Sequence, residues 1–186
     1  KEAIPYLELY EEKSRRSLSR EDNYQLGYAY FMAGEYENAL EFFKKVTATK
    51  DSLAQNTYYH AADCFLKLDN KKSARSAFLA AYKLNFDKKI GEDALFNYAK
   101  LSYELSYNPY NEAIKALQEY IKEFPGSERL DEANNYLVNL FLTTKNYKNA
   151  LTYIENIKNK NRDYKAAYQK INFFHTPFLL FYRFIF

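Results

Sequence analysis

Histidine and cysteine, the side chains that most often serve as catalytic bases, nucleophiles or metal ligands, are scarce in this chain. The only histidines are His60 and His175, and the only cysteine is Cys64. His60 follows two tyrosines in an apolar segment, which favours a packing or hydrogen-bonding role over that of a general base. The four glycines stand too far apart to form a phosphate-binding loop. The sequence predicts no catalytic site and no cofactor, and therefore a protein that is not an enzyme.

Disulfide bonding and metal binding are not expected either. A single cysteine permits no internal disulfide and no multi-cysteine metal site. Cys64 stands beside two alanines and Phe65, which is typical of a small buried apolar residue. Glu128, Asp131 and Glu132 cluster where a helix is predicted to begin, and negative charge there complements the helix dipole. We therefore expect no metal ligands among them.

Charge and aromatic content limit the choice of partner. The net charge is +3, and the acidic and basic residues are interspersed along the chain. A nucleic-acid-binding protein would usually show a basic stripe, so that class of partner is not predicted. The chain has 20 tyrosines and 15 phenylalanines, more than a core of this size needs, so we expect some on a binding surface. With only four glycines and four prolines, helices are favoured over tight turns.

One pattern of small and large apolar residues recurs along the chain. Alanine opens it at positions 3, 39, 74, 113 and 150, at intervals of 36, 35, 39 and 37 residues. A large apolar residue follows four positions later, and a further apolar residue three positions after that. In the four complete copies these residues are Phe43, Phe78, Leu117 and Ile154, then Val46, Ala81, Tyr120 and Ile157. The first copy has Leu7 and Tyr10. The spacing predicts helices with one buried stripe, and its recurrence predicts a repeat architecture.

A second pattern precedes each complete copy and indicates a partner helix. Its key position holds a small or branched residue: Gly27, Ala62, Ala99 and Val138. In the first copy, Leu26-Gly27 is followed by Tyr30, Gly34, Tyr36, Ala39 and Phe43. This arrangement resembles the tetratricopeptide repeat (TPR), a helix-turn-helix unit of about 34 residues. The resemblance implies an all-α, right-handed α-α superhelix of about four helical hairpins plus flanking half repeats. It also implies a non-catalytic scaffold that binds a partner protein or peptide in its concave groove.

The register predicts one TPR-like domain over residues 1–171. We expect a half repeat at 1–19, repeats at about 20–53, 54–87, 91–127 and 128–162, and the start of a further repeat at 163–171. The predicted helices cover about 2–12, 21–33, 36–49, 52–68, 71–84, 92–105, 110–124, 128–144 and 147–159, and another opens at 163–170. Ser19 and Asp22 predict a capping box, Ser127 predicts an N-cap, and residues 85–93 are the longest predicted polar connection. Asn23, which replaces the usual aromatic residue, and two extra residues near Pro109 depart from the family pattern.

The residues at 172–186 depart from the repeat and form an atypical aromatic tail. They hold six of the fifteen phenylalanines, interrupted by Pro177, and are too short for a membrane span. Three interpretations stay open: a segment that caps the last repeat, an interaction peptide or dimer contact, and non-native sequence at a truncated end. Because the pattern starts on a second helix without its first, we also expect the chain to be part of a longer array.

The TPR resemblance assigns the ligand-binding positions. In this family the first helices of the repeats line the concave groove, and three positions on each helix point into it. Carried onto this chain residue by residue, the predicted ligand-binding residues are Tyr24, Tyr28, Phe31, Tyr59, Asp63, Phe96, Lys100, Tyr103, Asn135 and Asn139. Tyr24, Tyr59 and Phe96 would form an aromatic ladder, although rings that only pack between repeats remain the alternative. Asp63 would repel a carboxylate, so the chain does not resemble the carboxylate-clamp members of the family.

Other functions and the location of the protein remain open. The chain could be a regulatory or docking module of a larger protein whose catalytic domain lies elsewhere, or a self-assembling array in which the tail makes a homo-oligomer. Tyr136-Leu137-Val138 and the Lys-, Tyr- and Asn-rich helices also resemble long TPR arrays of Gram-negative cell envelopes. That resemblance implies a periplasmic or outer-membrane-associated protein, with the cytoplasm as the alternative.

Overall fold

The computed structural model describes residues 4–13, 18–105, 111–157 and 165–171, and within these ranges every regular element is an α-helix. The all-α prediction is therefore confirmed for the part of the chain that the structure describes. The helices are α1 (Ile4–Lys13), α2 (Arg20–Ala33), α3 (Tyr36–Lys44), α4 (Ser52–Lys67), α5 (Lys71–Leu84), α6 (Lys88–Leu105), α7 (Asn111–Glu123), α8 (Leu130–Thr143), α9 (Tyr147–Asn156) and α10 (165–171).

The helices belong to two compact units, Lys1–Leu105 and Ser106–Phe186. In the first unit each helix from α2 to α6 packs against the next one along the chain, and α4 packs in addition against α2 and α6. In the second unit α8 packs against both α7 and α9. The helices that begin each repeat, α2, α4 and α6, are therefore neighbours, as stacked helical hairpins require. The aromatic tail at 172–186 lies outside the described residues, as does Pro109.

The alanines that open the recurring pattern mark buried helix contacts, as predicted. Every described member of the pattern in the four complete copies is buried: Ala39, Phe43, Val46, Ala74, Phe78, Ala81, Ala113, Leu117, Tyr120, Ala150, Ile154 and Ile157. Gly27, Ala62, Ala99 and Val138 of the partner helices are also buried. Small residues at these positions let the two helices of a hairpin approach closely, and the large residue one turn later fills the adjacent groove.

The half repeat at the start of the chain does not follow this pattern at Tyr10. This side chain was predicted to lie on the inner stripe, but it is 54% exposed. Among the described helices α1 packs against α2 alone, and it does so with Ile4 buried. A helix with a single neighbour buries a narrow stripe, so Tyr10 remains at the surface.

Polar groups join successive repeats in the first unit. Arg20 donates hydrogen bonds to the Asp51 carboxylate at 2.8 and 3.1 Å and to the Val46 carbonyl at 3.0 Å. The Arg20 guanidinium holds the pKa of Asp51 well below its usual range. The fully buried Gln55 accepts hydrogen bonds from the backbone N–H groups of residues 86 and 87, and donates to the carbonyl of residue 87 at 3.0 Å. Each contact fixes the start of one repeat against the next.

Four predicted helix boundaries were wrong: the start of α6, the start of α8, the end of α3, and the end of α9, which was expected near 159 but lies at Asn156. Helix α6 begins at Lys88, so most of the expected 85–93 connection is helical; the Asp87 carboxylate accepts from the N–H groups of residues 89 and 90. Ser127 is not the N-cap residue of α8, which is Arg129; the Ser127 hydroxyl instead accepts from the Arg129 backbone N–H at 3.1 Å, in the turn before the helix, and pairs with the Tyr120 hydroxyl at 2.6 Å. Helix α3 ends at Lys44 and turns follow it. The capping box at Ser19 and Asp22 is confirmed.

Candidate functional site

Helices α2, α4 and α6 carry eight of the predicted ligand-binding residues, all in the first compact unit. Tyr28 is the most exposed of the predicted aromatic residues, at 39%. Tyr24, Phe31, Tyr59, Asp63, Lys100 and Tyr103 are half-buried. Partial burial leaves one side of each group accessible to a ligand while the other side is held by the helix packing. We call these seven partly exposed residues, carried by three neighbouring helices, the α2–α4–α6 face.

Phe96 does not belong to this accessible set. The sequence placed it as the third ring of an aromatic ladder, but its side chain is only 4% exposed and lies among the core residues of α6. The neighbouring residues Leu95 and Ala99 are fully buried. The rotation of α6 that buries those two positions also turns position 96 inward, so the ladder is reduced to Tyr24 and Tyr59.

His60 is the centre of an aromatic cluster that joins α2 to α4. Its ring centroid lies 5.1 Å from that of Tyr28, 5.3 Å from Phe31 and 6.4 Å from Tyr24. The ring of Phe43 stacks on it from α3 at 6.3 Å. We refer to these five residues as the aromatic cluster. Phe43 is buried beneath the other four, and Tyr24, Tyr28, Phe31 and His60 give the α2 end of the face a group of adjacent, partly exposed rings.

The imidazole of His60 has no catalytic character in this setting. Burial lowers its pKa, so the ring is neutral at pH 7. Its Nδ1 atom is buried and has no hydrogen-bond partner among the described residues. A general base needs a proton donor or an orienting partner within reach, and neither is present in this part of the chain. The packing role predicted from the sequence is the one that the structure supports.

Two carboxylates lie beside the cluster, one on α4 and one on α6. Asp93 accepts hydrogen bonds from the Tyr59 hydroxyl and from the side-chain amide of Asn97, the latter at 3.0 Å. Among the described residues, no side chain donates a hydrogen bond to Asp63. Burial raises the pKa of Asp63 to about 6, and the negative charge of Asp93 adds to the effect, while Lys67 opposes it. Asp63 is thus a partly buried carboxylate with little compensation.

The two remaining predicted ligand-binding residues lie on α8, in the second unit. Asn135 and Asn139 line a cavity of about 420 Å³, together with Leu142 of α8 and Ala166 and Lys170 of α10. Asn139 is exposed and Asn135 is half-buried. Asn135 thus carries an amide where the first unit has Tyr24, Tyr59 and Phe96, and the cavity combines these amides with apolar residues such as Val138 and Ile154.

A larger cleft that the sequence did not predict lies on the other side of α4. Its volume is about 770 Å³, and it is lined by Leu40 and Glu41 of α3, Tyr58 and Phe65 of α4, and Lys72 and Ala77 of α5. In the sequence alone, nothing distinguishes these residues from ordinary surface or core residues. The cleft is visible only in the structure, where α3 and α5 lie apart from each other on this side of α4.

Cys64 carries no reactivity. Its side chain is fully buried, and burial raises the pKa of the thiol to about 12. Because the thiolate is the nucleophilic form, this thiol is inert at neutral pH. The prediction of a small buried apolar residue is confirmed. In addition, no group of histidine, cysteine and acidic side chains in the described ranges is arranged to hold a metal ion.

Comparison with known proteins identifies the type of repeat. Residues 93–127 match the family model of the tetratricopeptide repeat, and residues 1–81 match that of the anaphase-promoting complex, cyclosome, subunit 3. The C-terminal part of a TPR repeat-containing protein from Cytophaga hutchinsonii superposes with a TM-score of 0.64 at 15% identity, covering 89% of this chain. The chain carries a tetratricopeptide repeat at residues 93–127 and has the fold of TPR proteins.

A second TPR structure gives the same fold. The nearly identical TPR-like repeats assigned to a kinesin light chain from Podospora anserina superpose with a TM-score of 0.55 at 15% identity. The alignment covers 91% of the present TPR chain and 88% of the Podospora chain. The present chain spans 65% of the Cytophaga chain. No curated protein sequence matches it. At this level of identity the likeness establishes the TPR solenoid fold, and TPR repeats in general mediate protein–protein interaction.

None of the TPR helices in the described ranges is both long enough and apolar enough to cross a bilayer. The similarity to Gram-negative envelope arrays stays a prediction.

The uncompensated charge of Asp63 has a measurable effect on the stability of the TPR array. Folding raises the pKa of the Asp63 carboxyl group from 3.8 to about 6. Its contribution to the free energy of unfolding is therefore largest below pH 3.8, and it is lost as the pH rises through 6. We expect Asp63→Asn to raise the free energy of unfolding by about 1 kcal/mol at pH 8, because solvent screening reduces the full effect of the shift.

Urea unfolding of the wild type and of Asp63→Asn at pH 8 and at pH 3.5 tests this prediction. The gain should be present at pH 8 and mostly absent at pH 3.5, where Asp63 is protonated in the folded state and largely protonated in the unfolded state. An equal gain at both pH values would mean that the amide acts through packing and not through removal of charge.

Proposed function

We propose that this protein is a non-catalytic interaction scaffold that binds a peptide or protein segment on the α2–α4–α6 face. The observation that supports the proposal best is the combination of half-exposed rings and polar groups on three neighbouring helices. Rings held in place by the aromatic cluster offer a large contact area and lose little conformational entropy on binding. A buried, unreactive cysteine and a neutral histidine without a partner give no support to a catalytic alternative.

Tyr28 is the residue whose removal should cost most affinity. It is the most exposed ring of the aromatic cluster, and aromatic side chains at the centre of an interface commonly dominate the binding free energy. We expect Tyr28→Ala to weaken binding by about tenfold or more. Tyr168 is a matched control, because it is the same residue type with the same 39% exposure but lies on α10 in the other unit.

The experiment selects dodecapeptides from a random displayed library on the immobilised full chain. Dissociation constants of the selected peptides are then measured by fluorescence polarisation for the wild type, Tyr28→Ala and Tyr168→Ala. Circular dichroism of each variant establishes that the helices are intact. The proposal fails if the library yields no binder to the wild type, or if Tyr28→Ala and Tyr168→Ala bind the selected peptides equally well.

A further inference from the structure

The carboxylates on the α2–α4–α6 face indicate which kind of segment fits it. We propose that the bound segment carries a lysine or arginine whose cationic group lies against Asp63, next to an apolar side chain that packs on Tyr28 and Phe31. This inference rests on the proposed function and specifies the chemistry of the partner at the same site. It combines two independent features of the face, the apolar surface of the aromatic cluster and the charge beside it.

Hydrogen bonding shows which of the two carboxylates is available to a ligand. Asp93 already accepts from Tyr59 and Asn97, so its oxygens are partly occupied by the protein itself. Asp63 receives no hydrogen bond from the described residues, although it is half-buried. A carboxylate that has lost part of its hydration without gaining a donor retains unused acceptor capacity. An ammonium or guanidinium group from a partner supplies the missing donors.

The local charges favour a cation and oppose an anion. Asp63 and Asp93 are close enough for the charge of one to raise the pKa of the other, and Lys67 on the next turn of α4 only partly offsets them. A cation placed at Asp63 is attracted by both carboxylates and relieves their mutual repulsion. A carboxylate from a partner would meet two like charges in a partly desolvated site, which is unfavourable.

The position of Asp63 relative to the rings sets the spacing of the two contacts. Asp63 stands three residues after His60 and four after Tyr59 on α4, so it is about one helical turn from the centre of the aromatic cluster. On α2, Met32 follows Tyr28 by one turn and is 65% exposed. Met32 and Tyr28 therefore extend the apolar surface along α2, where a flexible thioether can adapt to different apolar side chains. A basic residue one or two positions from an apolar one reaches both contacts.

The charge contact is tested with the library-selected peptides and two variants of equal charge. Asp63→Asn removes the proposed ligand group and keeps its size, and its folded state is expected to be at least as stable as the wild type. Glu41→Gln is the control, because it removes the same charge from the exposed surface of α3, beside the cleft on the other side of α4. The peptides are remade with the basic residue replaced by norleucine or glutamine, which completes a double-mutant cycle.

We expect selection on the wild type to enrich lysine or arginine at one fixed position, and selection on Asp63→Asn to lose this enrichment. Asp63→Asn should weaken the basic peptide about tenfold, leave the neutral peptide unchanged, and differ clearly from Glu41→Gln. Binders that depend on Tyr28 but lack a basic preference, or that favour acidic residues, would overturn the inference and leave the scaffold proposal standing. Absence of any binder would overturn both.

Discussion

Replacing Gly27 by alanine is expected to lower the free energy of unfolding by about 1–3 kcal/mol, although alanine is the better helix former. A Cβ atom at Gly27 would lie 2.6 Å from the ring of Phe43 and 3.2 Å from the carbonyl oxygen of Ala39. Phe43 is itself fully buried, with Tyr24 and His60 against its ring. The ring therefore has little room to move, and the added methyl group must push α2 away from α3.

The same substitution at Gly91, in the same compact unit, is expected to change the free energy of unfolding in the opposite direction. It is buried inside α6, but a Cβ atom there would meet nothing closer than the Asn85 side-chain oxygen at 3.9 Å. Its conformation is helical, so Gly91→Ala reduces the entropy of the unfolded chain without a clash. We expect it to raise the free energy of unfolding by about 0.5–1 kcal/mol.

Urea unfolding of both variants, monitored by circular dichroism, measures the difference. The midpoints should move in opposite directions at similar m-values. If Gly27→Ala stabilises the protein as much as Gly91→Ala does, the ring of Phe43 is free to shift, and the crossing of α2 and α3 is not as tight as the structure indicates. Ala62 already occupies the matching position of the next repeat and is fully buried, so the cost at Gly27 depends on the placement of Phe43 and not on a general rule of the repeat.

The core could be predicted from the sequence because one packing solution recurs. Each hairpin needs a small residue where its helices cross and a large one beside it, and no hairpin can bury its apolar stripe without a neighbour. That requirement repeats with nearly constant spacing, as Ala39, Ala74, Ala113 and Ala150 show. Five copies in register carry more information than any one of them, so the fold was predictable although single helix boundaries were not.

One boundary error arose because a contact from elsewhere in the chain replaced a local signal. Residues 85–93 read as a polar connection, but Gln55, more than 30 residues earlier in the chain, binds the backbone at residues 86 and 87. That contact and the Asp87 carboxylate together allow α6 to begin at Lys88. No local pattern in the sequence indicates that Gln55 is buried and binds the backbone of residues 86 and 87.

The candidate site was predictable in its helices but not in the rotation of each helix. Successive residues on a helix differ in direction by about 100°, so Tyr59 and His60 face different neighbours. The register identified Tyr24, Tyr28 and Tyr59 as surface groups, and the structure leaves them partly accessible. The structure also buries Phe96 in the core and places His60 among five rings, those of Tyr24, Tyr28, Phe31, Phe43 and Tyr59. These two outcomes depend on how α4 and α6 rotate against α2, which the spacing of apolar residues does not define closely enough.

Ala74→Leu is expected to lower the free energy of unfolding by about 3 kcal/mol, at the upper end of the cost of overpacking a core. Ala74 is fully buried in the first turn of α5, the helix that packs against both α4 and α6. Three extra carbon atoms at this position must separate α5 from its neighbours or force side chains out of their preferred rotamers. Because α5 packs against α4 of its own repeat and α6 of the next, either response also disturbs the contact that holds α4 beside α6.

The control for this substitution is Ala80→Leu on the same helix, where the side chain is half-buried. Alanine and leucine differ little in helix propensity, so both variants carry the same intrinsic change. We expect Ala80→Leu to alter the free energy of unfolding by less than about 1 kcal/mol, because its side chain can turn toward solvent. Thermal and urea unfolding compare the two variants with the wild type. Equal stabilities for Ala74→Leu and Ala80→Leu would show that Ala74 is not at a close helix contact, and the stacking that aligns the α2–α4–α6 face would lose its main support.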